Sequence, residues 1–138
     1  MSQNLDLLLR SLEAWNQHDL ESYRKLYAPD AVIHGFAPMP LGIDAVLGGY
    51  SAFFAGFPDL RLTVAETLVD SDRIAVRFTI RGVHAGPFQG IPPTGRLIEV
   101  QGITILHYHE SLVVERWNQL DQLTMLQQLG ALPVAAQV

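Results

Sequence analysis

The segment from Arg73 to His84 constrains the fold more than any other. Ile74, Val76, Phe78 and Ile80 alternate with Ala75, Arg77, Thr79 and Arg81, which gives an extended strand one buried face and one more polar face. The preceding turn, Asp70-Ser71-Asp72, is so short that Leu60 to Val69 must run antiparallel beside it. Leu97 to His109 and Leu112 to Leu120 form a second hairpin around Glu110-Ser111. Between the hairpins, Ala85 to Arg96 holds three glycines and three prolines and reads as a loop.

The first half has a helical period. Leu5, Leu8, Leu12 and Trp15 lie on one helix face, with Ser2 as a possible N-cap. Asp19 caps a second helix carrying Leu20, Tyr23 and Tyr27, which Pro29 stops. Ala31 to Phe36 reads as a short strand. Gly42 to Phe57 reads as a third helix, weakened by Gly48 and Gly49. A closing helix runs from about Gln122 to Leu129, ended by Gly130. Helices grouped ahead of strands joined by tight turns predict an α+β fold, in one domain spanning 1–138.

Composition narrows the partners. Hydrophobic residues make up 49% and charged residues 17%, which allows a good core and is equally consistent with an apolar surface facing a second subunit. The net charge is −5 and no lysine-arginine cluster occurs, so no nucleic-acid partner is expected. With no cysteine, a disulfide scaffold and a thiolate nucleophile are both excluded. Met1 to Leu12 contains Asp6 and Arg10, unlike a signal peptide, and no apolar run approaches the roughly 20 residues of a membrane span. The expectation is a soluble cytoplasmic protein without a membrane partner.

The stretch Arg81-Gly-Val-His-Ala-Gly-Pro-Phe-Gln-Gly-Ile-Pro-Pro-Thr-Gly-Arg96 resembles the signature of SnoaL-like polyketide and ester cyclases. Glu115-Arg-Trp-Asn-Gln-Leu-Asp121 and Leu126-Gln-Gln-Leu-Gly130 extend the match, as do Trp15-Asn-Gln-His-Asp-Leu and Tyr27-Ala-Pro-Asp-Ala. The resemblance implies a nuclear transport factor 2-like, cystatin-like α+β barrel: a cone-shaped, strongly curved, mostly antiparallel sheet wrapped around N-terminal helices and enclosing a deep pocket. It also implies a homodimer or homotetramer. The implied reaction is an intramolecular aldol condensation, or related enolisation, of a hydrophobic polyketide-type ester or ketone, without metal or organic cofactor.

Aldol closure needs a base near a carbon acid, and an apolar environment raises a carboxylate towards that task. The resemblance assigns the role to Asp121, although an aspartate at a strand-to-helix junction is equally an N-cap. Alternation sets Trp117 and Gln119 on the face of Asp121, as a pocket wall and a carbonyl donor. His34 shares a face with Val32 and Phe36 and is expected to point inward. His84 either follows the buried face or fixes the signature loop. His107 depends on the hairpin register: a plain two-residue turn aims it away from Trp117, whereas one bulge brings it to the Trp117 side. Trp15, Tyr50, Phe53, Phe57 and Phe88 are candidate walls for a planar aromatic or polycyclic ligand. No His-x-x-x-His pair marks a metal site, and no Gly-x-Ser-x-Gly elbow marks a serine hydrolase. A non-catalytic binding protein, or a hydrolase or isomerase on the same fold, remains open.

Overall fold

A computed structural model of the chain describes residues 3–133; the Ser2 cap lies outside them. Helix α1 (Gln3–Asn16) buries Leu8 and Trp15. Asn16 ties its end to the sheet, donating to the Leu62 carbonyl at 2.9 Å and accepting from the Leu62 amide at 2.7 Å. Helix α2 (Leu20–Arg24) is a single turn, and the Asp19 carboxylate accepts from the Ser22 amide at 3.2 Å, as an N-cap should.

Strand β1 (Tyr27–His34) begins earlier than expected and includes Pro29. Tyr27 therefore belongs to a strand rather than to the second helix, and Pro29 sits at the register shift where β1 leaves its ladder. Helix α3 (Ile43–Gly56) buries seven residues, among them Tyr50, Phe53 and Phe54, and lies in the interior. Strands β2 (Arg61–Asp70), β3 (Arg73–Val83), β4 (Leu97–His109) and β5 (Leu112–Leu120) form the predicted meander, and α4 (Gln122–Gln128) closes the chain. Glu110 and Ser111 both have positive φ, as a two-residue hairpin turn with right-handed twist requires.

The sheet order is β1-β5-β4-β3-β2, with β1 parallel to β5 and the other pairs antiparallel. This corrects the expected architecture. The sheet is open and mixed, not a strongly curved cone or closed barrel, because β1 and β2 are its two edges and do not pair. Closure is blocked locally: Ile33 exchanges both backbone hydrogen bonds, each 2.8 Å, with Leu41 from the chain that folds back after β1. The helices, rather than a rolled sheet, supply the remaining walls of the interior.

One sheet face carries Ile74, Val76, Phe78, Ile80, Ile98, Val100 and Leu106 and meets the helices, forming the core. The opposite face carries Ile103 and Ile105, which are exposed.

Candidate active site

A cavity of about 510 Å³ lies between the inner sheet face and helices α1, α3 and α4, within the range of small-molecule sites. Trp15, Phe53, Phe78, Ile80 and Met125 give it apolar walls, and Pro87 and Phe88 of the signature loop add a further side. Phe88 stacks on Phe53 at 5.2 Å. His84 holds this loop: its Nδ1 accepts from the Thr94 amide at 3.1 Å, and its ring stacks on Phe57 at 5.1 Å.

The polar end of the cavity is built by β5. Its inward side chains are Arg116, Asn118 and Leu120. Arg116 is buried, yet all its hydrogen-bond partners are neutral. Nε donates to Thr104 Oγ1 at 2.8 Å, and Nη2 donates to Asn118 Oδ1 at 2.9 Å. Nη1 reaches the hydroxyl oxygens of Tyr50, Tyr27 and Tyr23 at 2.8, 2.9 and 3.2 Å. Thr104 in turn donates to the Trp117 carbonyl at 3.0 Å, and Phe36 lies 5.3 Å under the guanidinium. Burial disfavours the Arg116 charge, but the surrounding tyrosine oxygens outweigh it and hold the group protonated. Burial raises Tyr23 well above the ordinary phenol range and raises Tyr27 as well, so both stay neutral.

Gly35 makes this arrangement possible. Its φ is +101°, and a Cβ there would stand 1.8 Å from the Asn118 carbonyl oxygen, so any other residue would push β1 away from β5. The glycine also lets the chain cross over, from His34 on the outer sheet face to Phe36 in the cavity.

The sequence reading selected the wrong face of β5. Trp117 and Gln119 alternate with the cavity-facing residues and point to the outer side. His34 also lies on that side: it hydrogen-bonds Glu115 at 2.7 Å and stacks on Trp117 at 5.5 Å, with Arg73 over the same indole. The hairpin has both a two-residue turn and a bulge between His107 and Tyr108. The bulge brings His107 to the Trp117 side, where it bonds Asp72 at 3.0 Å. Asp121 is exposed and caps α4, accepting from the Thr124 amide at 3.1 Å and its hydroxyl at 2.7 Å. Those bonds hold its carboxyl below the usual carboxylate range. Phe57 is fully buried beside the cavity without lining it. Trp15, Tyr50, Phe53 and Phe88 do line it. Arg116 and Asn118 were missed, and the signal was present in the quoted motif: if Trp117 faces out, its two neighbours face in.

The SnoaL-like polyketide cyclase model matches residues 5–129. This chain belongs to the SnoaL-like polyketide cyclase family. Among solved structures, AclR from Streptomyces galilaeus, described as a candidate hydroxylase, superimposes with a TM-score of 0.91 at 29% identity, covering 99% of this chain and 87% of that one. IdmH from Streptomyces antibioticus, described as a candidate polyketide cyclase, is 38% identical with a TM-score of 0.83, covering 94% and 99%. TsrD from Streptomyces laurentii is 28% identical, with a TM-score of 0.84 over 96% and 99%. No curated protein matches in sequence. Membership fixes family and fold, and relatives described as hydroxylase and as cyclase leave the reaction to be argued from the site. Among the described residues no helix is long and apolar enough to cross a membrane.

Proposed function

We propose that this SnoaL-like protein is an enzyme that binds a hydrophobic polyketide-type ester or ketone and promotes its enolisation and intramolecular aldol closure. The observation that carries the reading is the meeting of Arg116, Tyr50 and Asn118 at one end of an apolar cavity. When a carbon between two carbonyls loses its proton, negative charge develops on oxygen. Donors fixed at the end of an apolar-walled cavity stabilise that charge more than they stabilise the neutral ketone, which lowers the barrier. The enolate carbon then attacks a second carbonyl of the same chain, forming the ring bond, and the resulting alkoxide takes up a proton.

Among the described residues, the cavity lining contains no carboxylate and no imidazole. In this reading, catalysis rests on stabilising the enolate, and the carbon gives its proton to water in the cavity. The same observation favours a second reading, a binding protein without turnover. Exchange of α-protons for deuterium in an aryl β-keto ester, followed by NMR, separates the two. Accelerated exchange that is lost in Tyr50→Phe supports enolisation, whereas binding without accelerated exchange moves the assignment to a binding protein.

A homodimer belongs to the same proposal. Leu97, Ile103 and Ile105 are exposed on the outer sheet face, 45%, 52% and 40% respectively, a grouping that suits contact with a second copy. Light scattering on Ile103→Lys should report the smaller species if that face makes the contact.

A further inference from the structure

The cluster around Arg116 is unbalanced in charge and in hydrogen-bond donors. Arg24, Arg61, Arg77 and Arg81, all on the surface, pair with carboxylates. Arg116, the buried arginine, takes part in none of the ion pairs of the described residues and meets only neutral oxygens. Burying a cation without a counter-charge is unfavourable, and the usual remedy is an anion.

The donors point to the same conclusion. Nη2 carries two hydrogens, and one of them goes to Asn118 Oδ1. The Tyr50 oxygen accepts from Nη1, which leaves its own O–H free to donate. Asn118 Oδ1 accepts from Arg116, so the Asn118 Nδ2 hydrogens turn elsewhere. Tyr50, Asn118 and Arg116 all line the cavity. Spare donors therefore collect at one spot around a permanent cation, and no carboxylate among the described residues accepts them.

We propose that the cavity takes its ligand as a monoanion with its charge spread over two oxygens, a carboxylate or an ionised 1,3-dicarbonyl, seated against Arg116, Tyr50 and Asn118. The ligand supplies the counter-charge that the protein omits. Two adjacent oxygens match a guanidinium N–H beside an amide and a phenol donor. The raised pKa values of Tyr23 and Tyr27 agree, since neutral phenols leave the arginine's charge uncancelled. This inference rests on the proposed use of the cavity and adds the ionisation state of what fills it.

Three ligands of one shape test it: naphthalene-2-carboxylate, its methyl ester and its primary amide, titrated calorimetrically at neutral pH. The carboxylate should bind at least about tenfold more tightly than the ester or amide. Arg116→Met should erase that preference, and Tyr50→Phe, which keeps the cation, should reduce it; the Tyr50 variant and the wild-type comparison stand even if the Met variant fails to fold. In a second arm, an aryl 1,3-diketone should show its enolate absorption band when bound at a pH where the free diketone is neutral. A carboxylate preference without the band assigns the site to acids; the band without the preference assigns it to ionised dicarbonyls. Equal binding of the three naphthalenes with no enolate band overturns the inference while leaving an apolar ligand cavity intact. If none of the compounds binds, the reading of the cavity as a ligand site falls with it.

Discussion

The two faces of β5 sit one residue apart and have opposite characters. Inward, Arg116 and Asn118 are buried in a polar network; outward, Trp117 is half-buried beside His34 and close to exposed Ile105, its partner across the ladder. A strand usually turns its apolar residues to the core, and here the largest apolar residue of β5 faces out. The comparison teaches that alternation assigns faces safely only where the interior is entirely apolar. Where the interior holds a polar cavity, the rule inverts at the residues that matter most.

Gly35, the crossing point between the faces, should give the largest effect. Gly35→Ala forces a side chain onto the Asn118 carbonyl at a positive φ and should lower the unfolding free energy by roughly 3 kcal/mol or more in urea titration. An unchanged midpoint would mean that β1 is not locked to β5 as described. Next is Arg116→Ala on the inward face. It empties the centre of the network and should cost roughly 2–4 kcal/mol by the same measurement, with ligand binding lost. Tyr50→Phe removes one hydroxyl there. It should cost about 1 kcal/mol in stability yet slow α-proton exchange by about tenfold or more.

Trp117→Ala tests the other face. It should cost about 1 kcal/mol, through lost contact with His34 and Arg73. Ligand affinity should stay within about twofold of wild type; a larger loss would put the indole in the site after all. The smallest effect belongs to Asp121→Asn. Asn is also a good N-cap, so turnover and melting temperature at neutral pH should barely move. The carboxyl's folded pKa lies below its unfolded value, so its charge-dependent contribution is present above about pH 4 and is lost as pH falls through the folded value. The Asn variant should therefore show a slightly flatter loss of melting temperature on acidification. A large drop in turnover would restore Asp121 as the base.

Much of the fold was legible because the local signals were strong. The bounds of β4 and β5 were read correctly around the Glu110-Ser111 turn, and α3 was placed within a residue at each end. What failed was non-local. No local pattern says that Tyr27 pairs with Val113 and His34 with Trp117 in parallel, or that Leu41 occupies the free side of Ile33. The expectation of a closed, cone-shaped barrel came from resemblance, and these two pairings show instead how the edge is finished. The aromatic walls Trp15, Tyr50, Phe53 and Phe88 were legible as bulky apolar residues. Arg116 was passed over despite its place beside Trp117, because a lone arginine on a strand ordinarily belongs to the solvent side, as Arg77 and Arg81 do.

The parallel pairing of β1 with β5 also has a kinetic side. The strand that opens the sheet in sequence waits for the last strand, since its hydrogen-bonding partner is separated from it by most of the chain. Contacts of such long range are entropically slow to form. During synthesis the β2–β3–β4 meander is available early, but Arg116 and Asn118 arrive with β5. The polar end of the cavity is thus added only with β5, and a nascent chain lacking β5 has most of the apolar walls before it has the charged group that selects what enters them.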